Sequence, residues 1–262
     1  MTKKIDKIFL TLLGSVLFIS IVTPESGLAV TVSYTSDATI SFIPNVINVP
    51  PLDPENPDLS SPISPVNPDG TAPNPGTGGD LSIDFASSLD FGTQYASISD
   101  ETYSAAPQQV SGSSPVSNFI QISDQRLTYV GWTLSVSQPV QFHLTTIDPG
   151  VTPESGSTEP GDYLTGSIIN FTKGQVRGLS GQTGTPNTVV SSFSLNGDGS
   201  QHNVLSASQT LGAGTWSYSF GDIVDYSPTS SPITLSIPGV TPKKASAYTT
   251  EIVWTLSDTP GA

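Results

Sequence analysis

The chain has 262 residues, a formal net charge of −14 and no cysteine. Without cysteine it has no disulfide framework, no thiolate nucleophile and no thiolate metal ligand. Binding to nucleic acid needs clustered lysine and arginine, so the acidic balance argues against it. The same sign of charge disfavours direct attraction to anionic lipid or anionic wall polymer.

Residues 1–29 have the features of a secretory signal peptide. Three lysines precede an apolar stretch from Ile8 to Val22, and Gly27-Leu28-Ala29 places small residues where signal peptidase cleaves. An uncleaved membrane anchor is the alternative, but the apolar run is short for a span of about 18 or more residues. Cleavage after Ala29 leaves five basic and twenty acidic residues, a formal charge of −15. We therefore expect a secreted chain with no membrane insertion after cleavage.

Two segments separate this leader from the main domain. Residues 30–43 include the alternating stretch Val32 to Phe42, which predicts a short strand that pairs with the main domain or with a partner. Residues 44–80 form a segment rich in proline and glycine, with ten prolines between Pro44 and Gly79. Because proline removes a backbone donor and fixes φ, we expect a semi-extended spacer here, without helix or sheet.

From Leu81 onward, apolar and polar side chains alternate with a period of two. The clearest runs are Val130–Val136, Val140–Thr146, Val189–Leu195, Trp216–Phe220, Ile233–Ile237 and Tyr248–Leu256. About ten short strands separated by Gly, Pro, Asn and Ser predict an all-β domain over residues 81–262, an antiparallel β-sandwich or barrel-like fold. Asn196-Gly197 follows one of these runs and predicts a hairpin there.

Residue types that support catalysis are few. His143 and His202 are the two histidines, and neither lies in a nucleophile motif. No carboxylate pair stands out by its spacing, so we predict that the chain is not an enzyme. Two alternatives stay open: an extracellular carbohydrate-active enzyme on a β-sandwich, and a self-assembling structural surface subunit.

Four oxygen-bearing residues near predicted turns raise the question of a calcium site. They are Asn196, Asp198, Asp222 and Asp225. Asn and Asp are common in turns for conformational reasons, and a full calcium-loop spacing is missing. We therefore predict no metal and no cofactor.

One tripeptide occurs twice, as Trp132-Thr133-Leu134 and as Trp254-Thr255-Leu256, and it contains two of the three tryptophans. The second copy lies in a longer pattern from Tyr248 to Pro260. In each copy Trp and Leu are two residues apart and point to the same side of a strand. This arrangement fits core filling, and it equally fits an exposed aromatic that stacks on a sugar or anchors a partner.

These motifs resemble the WxL surface-protein family of low-G+C Gram-positive bacteria, whose C-terminal domain carries an internal Trp-x-Leu and a terminal Tyr…Trp-x-Leu…Pro pattern. The resemblance implies a non-catalytic cell-surface protein that attaches non-covalently to peptidoglycan or another wall polymer. It also implies a membrane-anchored WxL-interacting partner and a role as a subunit of a surface complex. The binding residues implied by the motifs are Trp132, Leu134, Tyr248, Trp254 and Leu256.

Overall fold

The structure is a computed structural model that describes residues 31–44, 46, 48–146 and 159–261. The predicted signal peptide, residues 1–29, lies outside these residues. The chain divides into two units, residues 1–41 and 42–262. In the first unit, residues 31–41 are exposed and carry no strand, although the alternation from Val32 to Phe42 predicts one.

The second unit is built from short strands. In chain order they are β1 (Pro65–Val66), β2 (Leu81–Ala86), β3 (Glu101–Ser104), β4 (Gln109–Val110), β5 (Phe119–Asp124), β6 (Trp132–Ser137), β7 (His143–Leu144), β8 (Ile168–Phe171), β9 (Gly174–Gly178), β10 (Thr188–Val189), β11 (Phe193–Leu195), β12 (His202–Ala207), β13 (Gly214–Phe220), β14 (Ile233–Ile237), β15 (Tyr248–Thr249) and β16 (Val253–Ser257). A 3-10 turn, Ile223–Asp225, interrupts them. The all-β prediction is confirmed.

The described strands form three four-stranded antiparallel sheets. Sheet I has the order β2-β5-β13-β9, sheet II the order β11-β8-β14-β3, and sheet III the order β10-β12-β6-β16. Two smaller ladders pair β1 with β4 and β7 with β15. Every pairing joins antiparallel strands, as period-two alternation with one buried face predicts.

Apolar side chains from all three sheets meet in one core. Its buried members include Ile122 and Trp216 from sheet I, Phe171 and Ile233 from sheet II, and Trp132 and Leu134 from sheet III. Burying one large apolar side chain contributes about 1.5–3 kcal/mol, so this shared cluster supplies much of the stability of a chain without disulfides. The three sheets therefore share one large hydrophobic cluster, and a second, smaller cluster of Phe85, Val110, Val116 and Phe119 lies apart from it.

The hairpin predicted at Asn196-Gly197 is wrong. A turn forms there, and Gly197 has a φ of +69°, as its turn chemistry predicts. However, β11 before the turn pairs with β8 in sheet II, and β12 after it pairs with β6 in sheet III. The turn residues are correct, but long-range pairing decides which strands become neighbours.

Part of the proline-rich segment differs from the spacer that its composition predicts. Residues 48–66, which we call the strap, pack on the outer face of sheet I, and their strand β1 pairs with β4. Leu52 in the strap is fully buried. The side chain of Gln121 provides the missing backbone partners: Oε1 accepts from the Leu52 amide at 2.8 Å, and Nε2 donates to the Pro50 carbonyl at 3.0 Å. Side-chain amide bonds thus replace the ladder that proline prevents.

The face of sheet I beneath the strap is buried and combines apolar residues such as Phe119 with a polar cluster. On β5, Gln121 and Ser123 alternate with core residues. Asp84 of β2 accepts hydrogen bonds from the hydroxyls of Ser82 and Ser123, each at 2.7 Å, and from Gln121 Nε2 at 3.1 Å. Burial raises the pKa of the Asp84 carboxyl, while these three donors act to lower it. The strap therefore covers a hydrogen-bonded carboxyl that would otherwise face water.

Candidate functional site

The two Trp-x-Leu motifs lie side by side. The internal copy is on β6 and the terminal copy on β16, and these strands are antiparallel neighbours in sheet III. Leu134 lies directly opposite Leu256, and Val136 lies opposite Trp254. Because opposite residues in an antiparallel pair share a face, both motifs point to the same side of the sheet, toward the core.

The internal motif is part of the core. Trp132 and Leu134 both have 0 % exposure. The indole nitrogen of Trp132 donates a hydrogen bond to the carbonyl oxygen of Gly212 at 2.9 Å. The ring also fits closely, since a Cβ at Gly212 would lie 2.5 Å from Trp132 Nε1. In this structure neither side chain reaches the surface.

The terminal motif lies at the edge of the same sheet. Among the described strands, β16 has a hydrogen-bonded neighbour on one side only, β6. Trp254 and Leu256 are partly buried and pack against the core, whereas Val253 and Thr255 on the other face are exposed. Of the two motifs, the terminal one is therefore accessible.

Trp254 lines a cleft of about 520 Å³ between β16 and β2. Its larger apolar and aromatic lining residues are Ile83, Phe85, Leu89, Phe91, Phe142, Ile169, Tyr248, Ile252 and Trp254. Residues 73–77 form another part of the wall. Among the described lining residues, Asp84 is the single one with a formal charge. The cleft thus combines aromatic and aliphatic side chains with polar groups such as Asn74, Thr77 and Thr250, a mixture that suits the binding of a ligand with apolar and polar faces.

Two aromatic side chains of the cleft are held in place by specific contacts. The Tyr248 hydroxyl donates to the Gly161 carbonyl at 2.5 Å and accepts from the Lys244 amide at 2.8 Å. The Phe142 ring contacts Phe91 edge to face, with ring centroids 6.1 Å apart. Rings fixed in this way lose little side-chain freedom when a ligand binds, which favours affinity.

The alternation from Tyr248 to Leu256, predicted as one strand, is divided in the structure. β15 pairs with β7, and β16 pairs with β6. Between them, Thr250 Oγ1 donates to the Val140 carbonyl at 2.6 Å and accepts from Gln138 Nε2 at 3.1 Å. These side-chain bonds take the place of ladder pairing at Thr250. Tyr248 and Trp254, on either side of Thr250 in the sequence, both line the cleft.

The residues considered for calcium make other contacts. Asp222 accepts from Arg177 at 2.8 Å, and Asp225 pairs with Lys173 at 2.5 Å. Asp198 accepts the amide of Ser200 at 2.8 Å inside its own turn. Within the part of the chain that the structure describes, no group of three or more His, Asp or Glu side chains is arranged to hold a metal ion. In the structure these carboxylates bond to turns and to cationic side chains.

A family model described as WxL domain, surface cell wall-binding, matches residues 29–260. The chain belongs to the WxL family. The match includes the strap and residues 31–43 as well as the β-sheets. A comparison with curated proteins finds no match, and a comparison with solved structures finds none either.

Membership of the WxL family makes this a cell-surface protein that binds the cell wall. No helix in the described ranges, 31–146 and 159–261 with single gaps at 45 and 47, has the length and apolarity to cross a membrane. The family resemblance predicted from the paired motifs is confirmed by the match over nearly the whole WxL chain.

Sequence reasoning missed the other walls of the cleft. Phe142 was part of an alternating run, but nothing local marked it as a neighbour of Trp254. Residues 73–77 belong to the proline-rich segment that was predicted as a spacer, yet they line the cleft and bond to β2 through Thr77, whose amide donates to the Ile83 carbonyl at 2.9 Å.

Proposed function

We propose that this WxL protein is a non-catalytic subunit of a cell-surface complex. The cleft beside Trp254 is its contact surface for peptidoglycan or for a membrane-anchored WxL-interacting partner. The main support for the proposal is the difference between the two motifs: Trp132 is fully buried, whereas Trp254 is partly exposed and lines the cleft.

The five predicted binding residues divide into two roles. Tyr248, Trp254 and Leu256 are partly buried; Tyr248 and Trp254 line the cleft and supply contact, since aromatic side chains in partly desolvated clefts dominate many interfaces, and Leu256 packs beside them. Trp132 and Leu134 act as positioning residues, because Leu134 pairs with Leu256 and β6 holds β16 in register. The internal motif thus supports the terminal one from inside the core.

The charge distribution favours an uncharged contact. After removal of residues 1–29 the formal charge is −15, which repels anionic polymers over distances of about a Debye length. The cleft lining carries one formal charge. A sugar face of the glycan strand, or an apolar segment of a partner, fits this lining better than an anionic wall polymer.

The experiment is retention of the chain from residue 30 to 262 on washed Gram-positive walls and on the ectodomain of a candidate partner. Trp254→Ala is expected to reduce retention at least about 10-fold, the loss expected when a hot-spot side chain is truncated. Tyr95→Ala is the matched control, because Tyr95 is 98 % exposed and lies outside the cleft. Equal retention of both variants contradicts the proposed site. Retention of the unmodified chain in neither fraction, where another WxL protein is retained, contradicts the proposed function.

The alternative of a carbohydrate-active enzyme is tested in the same incubations. Release of reducing sugar or muropeptides from the walls, measured over a broad pH range, would replace the non-catalytic proposal. We expect no release above the level of a buffer control.

A further inference from the structure

Residues 32–42 have the pattern of a β-strand but no strand partner among the described residues. The apolar residues Val32, Tyr34, Ile40 and Phe42 are all at even positions, and their exposures are 86, 95, 81 and 77 %. The intervening odd positions are polar, with Asp37 as the one charged residue. The alternation, interrupted on the even-numbered face by Ser36, predicts a strand with one buried face, yet the apolar residues of this face are exposed.

The cleft offers a place for one more strand. It is bordered by β16, which is the terminal strand of sheet III and has a ladder partner on one side only among the described strands. Thr77 covers the edge of β2 at Ile83. Among the described strands, none pairs with the edge of β16 that faces away from β6, so this edge is open to a further strand.

We propose that residues 32–42 of one copy bind to the free edge of β16 in the cleft of a second copy. The inference rests on the proposed role of the cleft as a contact surface, and it names a second WxL chain as an occupant. Backbone hydrogen bonds to β16 provide affinity, and alternate side chains entering the cleft provide specificity, as in strand addition to other sheet edges.

The chemistry of the segment matches the cleft. The even-numbered apolar face, ending in Ile40 and Phe42, would enter toward Trp254 and Phe142, while the odd-numbered polar face stays in water. Asp37 lies on the polar face, so the segment itself brings no acidic side chain into the cleft. At about 3.3 Å per residue, eleven residues span roughly 35 Å, enough to follow the whole of the five-residue β16.

The contact is of the head-to-tail kind. The donor segment and the acceptor cleft are different surfaces of the chain, so each copy can donate to one neighbour and accept from another. Such heterologous contacts form open chains unless the rotation closes into a ring. We therefore expect assembly that increases with protein concentration.

The first test measures mass by light scattering and sedimentation on the chain from residue 30 to 262. Ile40→Asp and Phe42→Asp place a charge on the apolar face and are expected to give a monomer where the unmodified chain forms dimers and larger species. Thr39→Asp and Ser41→Asp add the same charge to the polar face and are expected to assemble like the unmodified chain. An unmodified chain that stays monomeric at all concentrations overturns the inference, as does equal assembly of all four variants.

The second test uses the absence of native cysteine, which makes an engineered disulfide unambiguous. A chain with Thr39→Cys or Ser41→Cys is mixed with a second chain carrying Thr255→Cys, at an exposed position on β16. Val240→Cys is the control acceptor, because Val240 is 92 % exposed and lies outside the cleft. We expect disulfide-linked dimers with Thr255→Cys and few with Val240→Cys.

Equal cross-linking to both acceptors overturns the inference. A third chain carries both Ser41→Cys and Thr255→Cys. If its disulfide forms only within one chain, the segment inserts into its own cleft, and this also overturns the inference. Wall retention of the monomeric Ile40→Asp variant separates this inference from the proposed function. If the protein stays monomeric and its retention on walls still depends on Trp254, the proposed function is supported and the proposed binding of residues 32–42 to a second copy is wrong.

Discussion

Trp132 and Trp216 donate hydrogen bonds from their indole nitrogens to one acceptor, the carbonyl oxygen of Gly212, at 2.9 and 3.0 Å. Trp132 belongs to β6 in sheet III, and Trp216 belongs to β13 in sheet I. A carbonyl oxygen has two lone pairs, so one peptide group satisfies both indoles. The Trp of the internal motif therefore helps to join two sheets at the centre of the core.

The two motif tryptophans are expected to differ in their effect on stability. Trp132→Ala removes a fully buried ring and a buried hydrogen bond, and should lower the free energy of unfolding by about 3–5 kcal/mol. Trp254→Ala removes a partly exposed ring and should cost less. Denaturant unfolding measures both values. An equal loss in the two variants would place Trp254 in the core rather than in a contact surface.

Gly212 is expected to be intolerant of substitution. It has a φ of +78°, and a Cβ there would lie 2.3 Å from Ala207 Cβ and 2.5 Å from Trp132 Nε1. Gly212→Ala should therefore combine left-handed strain with a shift of the indole, visible in near-UV circular dichroism and in a lowered melting temperature.

Gly181→Ala is the matched control for Gly212→Ala. Gly181 has the same φ of +78°, and no atom of the described residues lies within 4 Å of an added Cβ. Its cost should be limited to the left-handed backbone term of about 1–2 kcal/mol, with the near-UV spectrum unchanged. If the two variants have the same melting temperature, the steric contact between the added Cβ and Trp132 does not contribute to the loss of stability.

The strap is expected to contribute to stability. Leu52 has 0 % exposure and Leu59, in the same segment, has 54 %. Leu52→Ala should lower the free energy of unfolding by about 2–5 kcal/mol, because it leaves a cavity over sheet I, whereas Leu59→Ala should have almost no effect. Thermal unfolding and limited proteolysis of residues 48–66 measure this difference. Similar values for both leucines would mean that the segment is a loose spacer, as its composition predicts.

Asp84 is expected to make stability depend on pH in a definite direction. Burial raises its pKa in the folded state above the usual 3.8, so the folded protein binds the proton more tightly than the unfolded chain. Its contribution to stability is therefore complete below pH 3.8 and is lost as the pH rises through the raised pKa.

The measurement is the difference in melting temperature between the unmodified protein and Asp84→Asn, followed from neutral to acid pH. The unmodified protein should gain relative to the variant as the pH falls. Acids such as Asp162, whose pKa is lowered by the bond to Lys244, destabilise both proteins alike at low pH and cancel in the difference. The hydroxyl of Ser82 can turn to accept from the new amide, so the variant should fold. A difference that does not change with pH would mean that Asp84 is solvated in the folded protein.

The strands were predictable because the period-two pattern is a local property. β6, β13 and β14 follow the alternations at Trp132, Trp216 and Ile233. The neighbourhood of β6 and β16 was not predictable, since it joins residues about 120 positions apart, as in the bond from Ser135 Oγ to the Thr255 carbonyl at 3.3 Å. Alternation predicts which face of a strand is buried, but it does not predict which other strand pairs with it.

The strap shows a second limit of local reasoning. Its prolines predict correctly that a regular ladder is unfavourable over most of residues 44–80. They give no sign that Gln121, 69 residues beyond Leu52, would supply side-chain bonds in place of a ladder. For the candidate site, Tyr248 and Trp254 were identified from the motif, while Phe91, Phe142 and residues 73–77 were found only when the chain was folded.

The cleft combines residues from Pro73 to Trp254, and this sets the order in which a secreted chain becomes competent to bind. A polypeptide that crosses the membrane with its N-terminus first presents β6 long before β16 has emerged. During that interval Trp132 can enter the core, but the wall of the cleft formed by Trp254 does not yet exist. With the role proposed here for the cleft, attachment to the wall would be coupled to completed export, and a chain arrested before residue 254 would lack the proposed contact surface.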